Sequence, residues 1–296
     1  MTTTYPPSAA LTVTPYNKRS RHLVRELLSR NFYTHVHLDW HESDQWMDSE
    51  QAIIRLAWLN NNLVGLLALS EPLHDTCWVR LAAVLDHTDT HQVIYALWQN
   101  AEMELRERGV RRAAMLMIRD WAAPLLQPLG FRFEEEIVTL RHTERMAPEV
   151  PMLPENISLR AARSDDVPAM AAVDHHAFMP PWQMAISDIR QAERVAANST
   201  VAVQNINGQN RIVGYQMSTL YFDGAHLARL AVDPAVQNHG VASALLAELL
   251  RYFNRRGVYV VTVNTQASNH VSRHLYSKFA FYPNGYDLPV WVKDLS

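Results

Sequence analysis

The stretch from Val232 to Ser243 gathers the parts of an anion site. Val232-Asp233-Pro234 ends a strand-like run, Gln237-Asn238-His239-Gly240 forms a short polar loop, and Val241-Ala242-Ser243 opens an amphipathic segment. The first N–H groups of a helix lack intrahelical partners, and the helix dipole favours negative charge there. Gly240 lets backbone approach a phosphate closely, while small Ala242 and Ser243 keep the first turn open. A pyrophosphate suits this arrangement. One loop glycine is weak by itself, since many strand–helix loops of this kind bind nothing, so its neighbours decide its meaning.

Those neighbours carry a resemblance. Gln237-x-x-Gly240-x-Ala242 resembles the pyrophosphate loop of the GNAT acetyltransferases, whose pattern is Arg/Gln-x-x-Gly-x-Gly/Ala, and Leu230-Ala231-Val232-Asp233-Pro234 is similar to that family's fourth strand. Downstream, Asn269 opens a helical stretch, Tyr276 follows seven residues later, and Ala280-Phe281 closes it, with Ala280 where the family usually has glycine. The resemblance covers Ile157 to Ser296 in order. It implies an acetyl-CoA site built from Leu230, Ala231, Val232, Gln237, Asn238, His239, Gly240, Val241, Ala242, Ser243, Asn269 and Tyr276.

It also implies direct acetyl transfer from a thioester to an amine, which needs a base for the ammonium, donors for the oxyanion and an acid for the leaving sulfur. Tyr276 is the implied acid, a phenol of pKa about 10 against a thiol of about 8.5. An aromatic packed on the inner face of a helix is the other reading of Tyr276. Asn269 is implied to bond polar groups of the cosubstrate, and as a helix N-cap it has a purely structural role as well. The Val232 N–H is the candidate oxyanion donor. His226 precedes Val232 by six residues, where related enzymes carry a catalytic glutamate, and the even spacing puts both side chains on one face of the strand. A histidine of pKa about 6.5 is a candidate base; a strand-end histidine that only hydrogen-bonds is the alternative.

Elements that position these residues follow from hydrophobic periodicity and turn residues. Ile157–Ala161 alternates as a strand, Ser164 before two aspartates marks a helix start, and a second helix spans about 186–197. Thr200–Gln204 and Ile212–Leu220 form a hairpin through a polar turn containing glycine, and Ala225–Val232 is the next strand. Val241, Leu245, Leu246, Leu249, Leu250 and Phe253 share a helix face that ends at Gly257. Val258–Val263 reads as a buried strand, Asn269–Lys278 as a helix, and Tyr282–Val292 as two short strands.

The first half repeats these signals. Gly65 matches Gly214, Gly109 matches Gly257, and Gly130 matches Ala280, at offsets of 149, 148 and 150. Phe131 and Phe281 follow the last pair. The expected architecture is α+β: two tandem GNAT-like domains, each a mainly antiparallel sheet flanked by helices and splayed between its fourth and fifth strands. Their expected limits are 1–146 and 157–296, joined by a proline-rich linker at 147–156 with Pro148, Pro151 and Pro154. The first domain lacks the chemical positions. Its loop Asp86–Gln92 has acidic residues and no glycine, and the places of Tyr276 and Asn269 hold Leu126 and Arg119. A domain that binds no CoA productively, and supports its partner or shapes the acceptor site, is expected. The tandem organisation resembles acetyltransferases of the mycothiol-synthase type.

Composition narrows the partners. A net charge of −3 over 296 residues disfavours a nucleic-acid-binding protein. Cys77 is the only cysteine, so neither an intrachain disulfide nor a cysteine metal cluster forms. No apolar run approaches the roughly 20 residues that span a bilayer, and the N-terminal residues do not read as a secretory signal. A cytoplasmic protein without membrane or metal is expected. Fourteen histidines include His35, His37 and His41 near Asp39 and Glu42, but lack a three-ligand pattern. His35–Trp46, including Trp40, and Pro180-Pro181-Trp182 are candidate walls for an acceptor pocket. The expected activity is acetyl-CoA-dependent N-acetylation of a small-molecule or peptide amine. The rival is a non-catalytic acyl-CoA sensor or interaction protein, for which a leaving-group acid at Tyr276 has no use. Monomer and homodimer both remain open.

Overall fold

The computed structural model describes residues 10–38, 47, 49 and 51–295. The chain forms two compact units, one from Met1–Glu134 with Pro289–Ser296 and the other from Glu135–Leu288. In chain order the elements are β1 (Thr12–Pro15), α1 (Arg21–Arg30), β2 (Thr34–Val36), β3 (Ile53–Leu59), β4 (Asn62–Leu69), β5 (Thr76–Val84), α2 (Thr90–Glu107), β6 (Arg112–Leu116), α3 (Ala123–Leu126) and β7 (Arg132–His142). There follow β8 (Ile157–Ala161), α4 (Val167–Ala177), α5 (Ile186–Val195), β9 (Asn198–Ile206), β10 (Gln209–Tyr221), β11 (Gly224–Val232), α6 (Val241–Asn254), β12 (Val261–Gln266), α7 (His270–Lys278), β13 (Tyr282–Pro283) and β14 (Leu288–Asp294).

In the first unit the strand order is β1-β3-β4-β5-β6-β14, with β2 also paired to β5. The second unit runs β8-β9-β10-β11-β12-β7, with β13 paired to β7. Each sheet is antiparallel apart from one parallel pair, β5–β6 in the first and β11–β12 in the second. This is the mixed α+β fold expected, twice over. Two-residue turns with positive φ close equivalent hairpins, Asn60-Asn61 in one unit and Asn207-Gly208 in the other, as the right-handed strand twist favours.

The repeat is visible in the backbone. Gly65 and Gly214 lie on β4 and β10, each under the helix that follows; a Cβ on Gly65 would sit 2.3 Å from Val93, and one on Gly214 would sit 3.2 Å from Val241. Gly109 and Gly257 both close their helices with φ +74. Gly130 and Ala280 are both left-handed, at φ 86 and 54. Phe131 and Phe281 are both buried in their cores.

The units do not coincide with the two halves of the chain. Most of β7 belongs to the second unit, where it pairs with β12, and nearly all of β14 belongs to the first, where it pairs with β6. Each half lends a strand to the other's sheet, and residues 147–156 lie inside the second unit. In the first unit Lys293 donates to buried Glu102 at 2.6 Å, and Arg112 and Arg132 flank Asp294, fastening the returned strand. The fifth strand of the second unit is Val261–Gln266, displaced from the expected 258–263. Val258 spends its N–H on the Phe253 carbonyl to close α6, so the strand starts later. Among the described residues no helix is long and apolar enough to cross a membrane.

Candidate active site

Parallel pairing of β11 with β12 lasts for only three residue pairs, from Ala225↔Val261 to Leu227↔Val263. Beyond them β11 stays on β10 and β12 stays on β7, so the strands part. The Asp233 N–H bonds to the Val213 carbonyl on β10 at 2.8 Å. Because antiparallel strands alternate their bonding direction, Ala231 also turns its peptide groups toward β10, whereas Leu230 and Val232 aim theirs into the gap. A free backbone edge therefore faces the opening. The Gln237 amide donates to the Val232 carbonyl at 3.2 Å, leaving the Val232 N–H to the gap.

The loop that follows is built to leave its helix end bare. Asp233 is buried, accepts from the Ala235 N–H at 3.0 Å to start a single 3-10 turn, and holds Arg211 at 2.5 Å. Asn238 (φ 64) and Gly240 (φ +81) then reverse the chain with left-handed conformations, and the His239 ring bonds back to the Gln237 carbonyl at 2.9 Å. Gly240 is the N-cap of α6 and has no side chain to cap it. The Ala244 N–H is the one that bonds to the Gly240 carbonyl, so the N–H groups of Val241, Ala242 and Ser243 have no helical acceptor.

On α7, Asn269 caps the helix by accepting from the Ser272 N–H at 3.0 Å. Its structural role is thus present without any ligand. Tyr276 is buried in the α6 core, with its ring 5.5 Å from that of Phe281. Burial pushes its phenol well above the ordinary tyrosine value, and the charge of Arg229 acts in the opposite direction. The group keeps its proton at neutral pH.

His226 does not share a face with Val232. The β10–β11 register steps from Met217↔Arg229 to Ser218↔Leu227, which makes Ala228 an extra residue, a β-bulge, and one extra residue reverses the alternation. His226 faces the α4 side with Arg229, while Val232 packs toward α6. Its Nδ1 lies 2.9 Å from the Thr262 hydroxyl, which itself donates to the Ala225 carbonyl at 3.4 Å. Nδ1 therefore carries the hydrogen, and Nε2 keeps its lone pair. Burial lowers the His226 pKa to about 4, below the ordinary histidine value expected for a neutral-pH base.

Sequence reading missed the most tightly bonded cluster of this face. Asp174 on α4 is fully buried and receives Arg229 through Nε (2.7 Å) and Nη2 (2.9 Å), together with the Tyr215 hydroxyl (2.6 Å) and the Met184 N–H (2.8 Å). Arg229 also donates to the Trp182 carbonyl at 2.6 Å and stacks over the Phe178 ring. The segment between α4 and α5, which contains Pro180-Pro181-Trp182, is thereby tied to β11. An arginine in the otherwise apolar run Leu227–Val232 was the available signal.

The first unit fills the equivalent places with its own atoms. β5 and β6 also part after three parallel pairs, but β2 lies against the freed edge of β5, from Thr34↔Ala83 to Val36↔Leu81. The Trp121 indole donates to the Thr34 carbonyl at 2.9 Å and helps hold that strand. At the N-cap of α2, Asp89 accepts from the Gln92 N–H at 3.0 Å, where α6 has bare Gly240. Leu126, at the place of Tyr276, is buried. His35, on β2, is buried as well; Trp40, His41 and the rest of 39–46 lie outside the described residues. Among the described residues no group of three or more His, Cys, Asp or Glu could hold a metal ion.

Comparison with known proteins agrees with this geometry. The acetyltransferase (GNAT) family model matches residues 167–281. The [ribosomal protein bS18]-alanine N-acetyltransferase of Escherichia coli (strain K12) is 27% identical over 124 residues, 42% of this chain and 80% of that protein. Mycothiol acetyltransferase of Nocardia farcinica is 26% identical over 179 residues, 54% of this chain and 57% of that one. Among solved structures, a tandem GNAT protein from the clavulanic acid biosynthesis pathway superposes with a TM-score of 0.65 at 17% identity, over 97% of this chain and 99% of that one. A GCN5-related N-acetyltransferase from Sphaerobacter thermophilus gives 0.61 at 17% identity, over 99% of this chain and 97% of that one. With a split sheet and a bare helix cap in the second unit, and the same fold repeated in the first, residues 167–281 form an acetyltransferase domain of the GNAT family within a tandem GNAT fold.

Proposed function

We propose that the second unit binds acetyl-CoA and acetylates an amine by direct transfer, and that the first unit binds no acyl-CoA. One observation carries the reading: the uncapped N-terminus of α6 and the free edge of β11 meet at one loop, as a pyrophosphate with an amide-bearing arm requires. The peptide groups of Leu230 and Val232 would pair with the arm, and the N–H groups of Val241, Ala242 and Ser243 would hold the pyrophosphate. Asn238, His239 and Gly240 shape the turn between them, and Gln237 braces it through the Val232 carbonyl. When bound, the cosubstrate supplies an acyl group activated as a thioester.

Chain residues supply the proton handling and positioning. Tyr276 holds a phenolic proton for the leaving sulfur, the Val232 N–H offers a donor to a developing oxyanion, and neutral His226 offers Nε2 to the amine's proton. The acceptor enters on the α4 side, bounded by the segment that Arg229 anchors. Relatives named for a ribosomal-protein alanine and for mycothiol support an amine acceptor of small-molecule or peptide kind. For the first unit, Asp89 and β2 already take the hydrogen bonds that a pyrophosphate and its arm would need.

Calorimetric titration of acetyl-CoA tests both statements. One site per chain is expected, lost in Gly240→Glu, where a carboxylate would meet the pyrophosphate. Two sites, or one that survives the substitution, would overturn the assignment of the units.

A further inference from the structure

The sheet face that carries Arg229 and His226 continues across β12 and β7. Thr262 is the register partner of His226, and Arg141 is the register partner of Thr262, so these three side chains form one row across three strands. Asn264 and Thr139 form the next row. Alternation places both rows opposite Val261, Val263 and Leu140, which pack beneath α6. They lie on the acceptor side, at the level where β11 and β12 begin to part.

Arg141 differs from the other arginines of this unit's polar clusters. Arg229 is paired with Asp174, Arg160 with Asp166 and Arg211 with Asp233. Arg141 is half-buried with Nε out of water, yet among the described residues nothing accepts a hydrogen bond from it or stacks on it. Its Nε is buried without an acceptor and no carboxylate pairs with it among the described residues, and the fork geometry of a guanidinium suits a carboxylate. Beside it, Asn264 has a buried Oδ1 that accepts nothing, and Thr219, the register partner of His226 on β10, has a buried hydroxyl with no partner. Strands about 4.8 Å apart, and residues two apart along a strand at about 6.8 Å, put Arg141 and Asn264 within reach of one small molecule. Donors for an anion and acceptors for an N–H are both unfilled.

We infer that Arg141 binds a carboxylate of the acceptor, with Asn264 receiving its amine, so that the acceptor is a zwitterion of amino-acid to dipeptide size. The inference rests on the reading of the second unit as the transferase and adds the substrate class. Arg141 reaches this site on β7, a strand that follows the first half's own elements in sequence, so inspection of 157–296 alone does not find it.

Matched pools test it: the common α-amino acids with β-alanine, a set of dipeptides, and the C-terminal amides of both, each incubated with acetyl-labelled acetyl-CoA. Wild type is expected to label a carboxylate pool at least about 10-fold over its amide counterpart, and which pool is labelled gives the size of the acceptor. In Arg141→Leu the acceptor KM should rise on the order of 10- to 100-fold, the loss expected for a charge-assisted pair, with partial recovery in Arg141→Lys. Acetyl-CoA affinity of Arg141→Leu should match wild type and reports that the variant is folded. Equal labelling of amides, or a carboxylate preference that survives Arg141→Leu, would overturn the inference. Wild type that binds acetyl-CoA but labels no pool overturns it alone, whereas absence of acetyl-CoA binding overturns the transferase reading and this inference together.

Discussion

Arg229 reaches both carboxylate oxygens of Asp174, through Nε at 2.7 Å and Nη2 at 2.9 Å, at a site where Asp174 has no contact with water. The pair is also the anchor of the segment between α4 and α5, through the Met184 N–H and the Trp182 carbonyl. Two effects are therefore separable. Arg229→Met strands a buried carboxylate and should cost about 3–5 kcal/mol in urea denaturation. The double variant Asp174→Leu/Arg229→Met removes the stranded charge and should regain at least half of that loss, while the freed segment raises the acceptor KM with little change in acetyl-CoA affinity. A double variant no more stable than the single one would show that the ion pair is not the source of the loss.

The pH dependence of stability should carry a signature of His226. Its pKa is about 4 when folded and about 6.5 when unfolded, so between those values the unfolded chain binds the extra proton. Stability contributed by the neutral ring is fully present above pH 6.5 and falls as the pH drops toward 4, by up to ~3 kcal/mol. His35, also lowered to about 4 by burial, adds a similar slope in the first unit. His226→Gln should flatten the slope of the second unit over this window and leave stability at pH 8 nearly unchanged. An identical slope in wild type and variant would refute the assignment.

Ala280 offers a local gain. It ends α7 in the left-handed conformation at φ 54, with the Phe281 N–H bonded back to the Tyr276 carbonyl at 3.1 Å. Gly130 makes the same turn after α3, with the Phe131 N–H on the Leu126 carbonyl at 3.0 Å. An alanine there costs roughly 1–2 kcal/mol relative to glycine, offset by the larger entropy that glycine loses on folding. Ala280→Gly should therefore stabilise the second unit by about 0.5–1 kcal/mol, and Gly130→Ala should cost the first unit a similar amount. Chemical denaturation of the two variants gives both numbers.

Local signals reached most elements and the turn into α6 at Gly240 because each depends on a few adjacent residues. Gly240 after a strand, Leu245 to Phe253 at helical spacing, and Asn269 with Tyr276 one helix later are all read within short windows. What escaped depends on residues far apart in sequence. Ala228 looks like any strand residue, and only its register against Met217 and Ser218 reveals the bulge that turns His226 away from Val232. Asp174 and Arg229 are 55 positions apart, and their pairing needs α4 to lie across β11. Thr34–Val36 is too short for a periodic signal, although it occupies the edge that sets the first unit apart. Arg141 and Thr262 are neighbours only because β7 pairs outside its own half.

That crossing of strands bears on how such a chain can be inherited. A gene fragment ending at the proline-rich segment would encode a first half whose sheet lacks Pro289–Asp294, and a fragment beginning there would encode a second half without β7. Each would carry an open sheet edge, the feature that leads isolated domains to aggregate. The exchange ties the two halves together in inheritance: each holds a strand that the other's sheet needs, so neither half can be lost without opening the sheet of the other.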